Sequence, residues 1–118
     1  MNTQHERRRD WLRYEILRDC ACGPEEFFVL ISSIDTAAAV EVTQFVSTLS
    51  TLVDEGLLAA MLNSRPITGV TVRQLEDYVR ARRRAGEELD QPTDSVPEYS
   101  FTTTDIGIAL LKEEDRPD

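Results

Sequence analysis

Three sets of side chains in this 118-residue chain are of types that do chemistry, and two lead nowhere. Cys20 and Cys22 lie two apart, but a metal site would need further ligands, and His5 is the sole histidine. The pair reads as small residues near a helix end, with thiols kept reduced in the cytoplasm. Neither cysteine has a histidine nearby in sequence to activate it, and no Gly-rich phosphate loop or nucleophile elbow is present. Asp and Glu are plentiful but fall mostly in loops and at the C-terminal end, where they read as solubilising charge. The expectation is a chain that is not an enzyme and holds no cofactor and no metal.

The third set is arginine, and its distribution is uneven. Net charge is −9, made up of +1 over residues 1–22, −5 over 23–65, +3 over 66–85 and −8 over 86–118. Positive charge therefore sits in two places, Arg7 to Arg18 and Arg73 to Arg84, and a polyanion would have to be met there. Each cluster has a plainer reading as a solvated helix face. Charged residues make up 30% and apolar ones 41%, a globular mix rather than a disordered one. No apolar run approaches the roughly 20 residues of a membrane span. Met1 to Asp10 has no apolar core of a signal peptide, so a cytoplasmic location is expected.

The elements that must position these groups can be read in order, as one domain spanning 1–118. Thr3 and Glu6 have capping-box spacing, predicting a first helix from near Gln4 that stops at Gly23-Pro24. Pro24-Glu25-Glu26 suits the start of a second helix through Phe27 to Ile34, with Asp35 or Thr36 as turn and next cap. A third helix either runs unbroken from Thr36 or breaks near Val42. The break is favoured, with Thr43 as N-cap and Phe45, Leu49, Leu52 and Val53 on one apolar face. Gly56 ends that helix in the left-handed region. Leu57 to Leu62 reads as a strand running into a turn at 63–66. Thr71 and Gln74 open a fourth helix with Val72, Leu75, Tyr78 and Val79 on one face, ending at Gly86. An acidic loop follows over 87–98, then a strand at 99–101 and a final helix capped by Thr104. Residues 112–118 form a polar tail. The stripe on the fourth helix needs something to pack on, so a homodimer is expected.

The cap, apolar stripe, glycine stop and Leu57-Leu58 exit resemble the third helix of winged helix-turn-helix domains. Tyr99-Ser100-Phe101, then Thr104-Asp105-Ile106-Gly107 and Leu110-Leu111, resemble the second wing strand and following helix of MarR- and PadR-type regulators. The resemblance implies a mainly α fold with a small antiparallel hairpin (α+β). It departs from the family by placing a helical insertion at 66–90 between strands near 57–62 and 98–103. It also implies transcriptional control through double-stranded DNA. Gln44, Ser47, Thr48 and Thr51 would then face the major groove, where Gln can read adenine and hydroxyls can meet bases or phosphates.

No Lys or Arg occurs from Asp19 to Ser64, so that helix brings no positive charge of its own. Duplex binding draws much of its free energy from basic groups displacing counterions. On the DNA reading Arg80, Arg82, Arg83 and Arg84 must supply it from the inserted helix. The alternative is a winged-helix module that binds protein and does not touch DNA. Which applies depends on whether the arginines share a side with Ser47 and Thr48 or face an acidic patch of the same chain.

Overall fold

The computed structural model describes residues 3–38 and 41–114, with side chains for 11–34 and 41–113. The expected Thr3–Glu6 capping box, the Asp35 and Thr36 side chains and the end of the C-terminal tail lie outside those. The order is α1 (Thr3–Asp19), β1 (Glu25–Glu26), α2 (Phe27–Ala38), α3 (Val42–Asp54), β2 (Leu58–Leu62), β3 (Arg65–Ile67), α4 (Val72–Arg84), β4 (Tyr99–Thr103) and α5 (Asp105–Glu114). The fold of the described residues is α+β: five helices and a four-stranded antiparallel sheet in the order β1-β4-β2-β3. No described helix is long and apolar enough to cross a membrane.

The two stretches expected to pair do so, with Leu58 opposite Thr103 and Leu62 opposite Tyr99. Two strands were not foreseen. Glu25 and Glu26 pair with Phe101 and Ser100 instead of opening a helix, because β4 offers an edge there and the helix begins at Phe27. Arg65 to Ile67 pairs back on β2 through a two-residue turn at Asn63 and Ser64, whose φ values of 51° and 66° are both positive. Such a turn matches the twist of a hairpin, and Pro66 is tolerated because β3 is an edge. The turn expected at 63–66 thus carries two of the three residues of β3.

Helix boundaries moved for similar reasons. α2 continues through Asp35 and Thr36 to Ala38 rather than turning there. α3 begins at Val42 with Glu41 as N-cap and no side-chain cap bond, so Thr43 is not the cap. The Thr71–Gln74 capping box is present, each side chain bonding the other's backbone amide. α3 and α4 both end in Schellman-type exits on Gly56 and Gly86 (φ 78° and 75°), with Leu57 N–H donating to Leu52 and Glu87 N–H to Arg82.

Phe27, Ile31, Phe45, Leu49 and Leu52 are buried as their spacing implies, whereas Trp11 and Leu110 are half-buried and Leu111 takes the inner position on α5. The segment expected to project does not. α4 lies back against α3, burying Leu75, Tyr78 and Val79, and the Tyr78 ring meets Phe27 at 5.0 Å and Tyr99 at 5.3 Å, both edge to face. That stripe is therefore covered within the chain and gives no argument for a dimer.

β4 hands over to α5 directly on the exit of α3. Thr104 N–H donates to the Leu57 carbonyl at 3.0 Å, and its hydroxyl donates to the Gly56 carbonyl at 2.6 Å. The same oxygen accepts from Gly107 N–H at 3.2 Å, closing the first turn of α5. A Cβ on Gly107 would lie 2.5 Å from the Leu57 oxygen and 2.6 Å from Thr103 Cγ2. Backbone there cannot give way without moving β2. Gly107→Ala should cost about 1–3 kcal/mol by overpacking. Gly69→Ala, which meets nothing within 4 Å, should change stability far less. Urea denaturation of the two variants side by side checks this.

Candidate functional site on helix α3 and the arginines around it

The apolar stripe of α3 faces inward, so the residues between its members face out. Ser47 and Thr51 are exposed, and Gln44 and Thr48 half-buried. The four share a cleft of about 650 Å³ with Glu41, Thr43 and Arg13. Thr48 Oγ1 donates to the Gln44 carbonyl at 2.8 Å and Thr51 Oγ1 to the Ser47 carbonyl at 2.9 Å. Those hydroxyl protons are spent within the helix, which leaves the oxygens as acceptors for an incoming donor. Ser50, on another side of α3, donates to the Val70 carbonyl at 2.8 Å and ties the helix to the lead-in of α4.

Arg13 reaches this face from α1 and pairs with Glu55 at 2.8 Å. It belongs to the basic N-terminal cluster in the sequence, but only tertiary packing brings it to α3, and sequence reasoning did not single it out. Arg80 and Arg83 approach the opposite edge, where they line a small cleft of about 120 Å³ with Thr43, Val46 and Glu76. Arg80 Nη1 lies 3.4 Å from Asp77, an exposed pair of little energetic weight. Arg84 is exposed in the last turn of α4 and lines neither of these clefts.

Arg82 departs from expectation. It is 0% exposed, so it cannot reach a phosphate and, contrary to the expectation, is no part of a DNA-contacting surface. All five of its N–H groups are taken. Nε donates to Glu87 Oε1 at 3.2 Å, and Nη1 to the Tyr78 hydroxyl and the Leu89 carbonyl, both at 3.2 Å. Nη2 donates to the Glu88 carbonyl at 2.6 Å and to that of Gln91. The guanidinium also lies 5.6 Å from the centre of the Tyr78 ring. Tyr78 passes the chain on, donating to Glu98 Oε1 at 2.5 Å. The signal was in the spacing: Arg82 lies seven residues after Leu75 and so continues the stripe of Leu75, Tyr78 and Val79, whereas Arg83 and Arg84 fall off it.

The acids around Arg82 respond in opposite directions. The Thr93 hydroxyl, with the Asp94 amide, Ser95 and Arg82 behind it, holds Glu87 down at about 2 against the effect of burial. Glu98 is pushed up, chiefly by burial, although Tyr78 and Arg82 pull the other way. Elsewhere, burial first and then Asp19 and Glu25 push the Cys20 thiol up to about 12, so it is an inert core group. Cys22 is exposed, and no three potential metal ligands gather among the described residues. The arrangement can accept and donate hydrogen bonds along α3 and present cations at its edges. It assembles no nucleophile with a base.

Arg82→Ala should destabilise by about 3–5 kcal/mol, because it empties a fully buried site and leaves the carbonyls of Glu88, Leu89 and Gln91 without their donor. Arg82→Lys should not rescue it, since an ammonium cannot reproduce the planar fork. Glu87 has a folded pKa below its ordinary 4.5, so its stabilisation is full above 4.5 and lost as pH falls towards 2. Unfolding curves of Glu87→Gln against pH should lack that acid limb, while those of the parent show it.

No family model, characterised protein or solved structure matches the chain.

Proposed function

We propose that the chain is a winged-helix transcriptional regulator that presents α3 to the major groove of double-stranded DNA. The order of elements supports the reading: two helices lead to α3, and β2 and β4 pair behind it and hand over to α5 through Thr104 and Gly107. The observation that carries it is the α3 face itself. Gln44, Ser47, Thr48 and Thr51 lie together on an open surface with Arg13 on one flank and Arg80 and Arg83 on the other. Hydrogen-bonding groups in the middle and cations at the edges match a division between base reading and backbone contact. With Arg82 withdrawn, Arg80 and Arg83 are the inserted helix's basic contribution beside α3, and Arg84 adds an exposed cation at the end of the same helix.

A second reading, a winged-helix module that binds protein, is favoured by how the arginines are used. Arg13 pairs with Glu55, Arg80 with Asp77 and Arg82 with Glu87, so part of the positive charge is already neutralised. A net charge of −9 also suits a basic protein partner better than a polyanion.

A binding titration over a range of salt separates them. On the DNA reading, replacing Arg80, Arg83 and Arg84 together by Ala weakens binding to every duplex and lowers the salt slope by about one unit per lost phosphate contact. Gln44→Ala instead costs roughly 1–3 kcal/mol at an enriched site and leaves random duplex nearly unchanged. Absence of salt-sensitive affinity for any duplex in the parent removes the DNA reading and leaves the protein-binding module.

A further inference from the structure

Where α2, the start of α3 and the end of α4 meet the segment after Gly86, a third cleft opens, of about 470 Å³. That volume lies in the usual range of small-molecule sites, about 300–1,000 Å³. Its apolar lining is Ile31, Val42 and Leu89, and its charged lining includes Arg83, Glu88 and Asp90. Among the described residues no hydrogen bond or ion pair engages the side chains of those three charged residues. This contrasts with Arg82 and Glu87 beside them, which pair with each other and are bonded further by their neighbours. The wall is also preformed. Arg82 holds the carbonyls of Glu88, Leu89 and Gln91, and Glu87 is anchored by Thr93, so the segment needs no ordering on binding.

We propose that this cleft binds a small zwitterion, a free amino acid with an aliphatic side chain. The charges decide the class. An anion alone would meet Glu88 and Asp90, a cation alone would meet Arg83, and a purely apolar ligand would strip water from all three without replacing it. A ligand carrying both charges answers both signs, its carboxylate on Arg83 and its ammonium towards Asp90 and Glu88. Its aliphatic part covers Ile31, Val42 and Leu89. The site does not depend on the DNA reading.

The test is an amide-shift titration of the full chain with L-leucine, with no nucleic acid present. Saturable shifts should gather at residues 31–32, 42 and 86–90. N-acetyl-L-leucine, which lacks the ammonium, and L-leucinamide, which lacks the carboxylate, should each bind about tenfold more weakly, the loss of one charge-assisted bond. Glycine should be weaker than leucine for want of apolar area. Arg83→Ala should lose the preference for leucine over leucinamide, and Asp90→Asn, with Glu88→Gln, that over the acetylated form. Both are exposed substitutions that should leave the spectrum of the free protein folded. No saturable shift with L-leucine at tens of millimolar overturns the proposal. So does equal binding of leucine and the two blocked analogues.

Discussion

A guanidinium taken out of water must find an acceptor for each of its five N–H groups, and Arg82 finds all five within one short stretch of chain. Its partners are Glu87, the carbonyls of Glu88, Leu89 and Gln91, and the hydroxyl of Tyr78. Leaving any of these buried without a partner costs more than the bond itself is worth, so the arrangement is close to all or none. The Schellman exit at Gly86 makes it possible, because it turns Glu87 back against the helix it has just left. From there Tyr78 carries the network to Glu98, next to the first residue of β4. One side chain thus fixes where the chain goes between α4 and the central strand.

That constraint also decides what α3 presents. With the segment after Gly86 fastened to α4, α4 can lie flat on α3 and cover Leu75, Tyr78 and Val79 with Phe27 and Tyr99 as neighbours. The outer face of α3 stays uncovered. At its far end the contact of Thr104 and Gly107 with the Leu57 carbonyl ties α5 to the exit of the same helix. α3 is therefore held from one side and at its C-terminal end, which favours a face that does not rearrange.

Much of this framework was legible where local rules and tertiary structure agree. The Thr71–Gln74 box, the glycine stops and the Thr104 cap are local signals that packing leaves intact, and the apolar patterns at 57–62 and 99–101 mark the two strands that pair. Glu25 and Glu26 misled because acids after a proline suit a helix start, while the edge of β4 made a strand worth more. Thr43 misled in the same way, since a good capping residue two positions inside the helix gives no sign that it is unused. The site was half legible. The α3 face follows from a helical period, and so does the inward place of Arg82, seven residues after Leu75, but the loop partners that Arg82 finds do not, and neither does the arrival of Arg13. Those depend on contacts between residues far apart in sequence or on the path of an irregular loop.

The account turns on Arg82 being a buried structural cation among surface arginines, and the most direct measurement is hydrogen exchange at arginine Nε–H followed by nitrogen-15 NMR at mildly acidic pH. A single arginine Nε–H that persists long after transfer to heavy water, assigned to Arg82 by its loss in Arg82→Lys, is the predicted result, with Arg80, Arg83 and Arg84 exchanged at once. Rapid exchange of Arg82 alongside the other three would contradict the account, because it would put the guanidinium in water and release the segment that leaves α3 open.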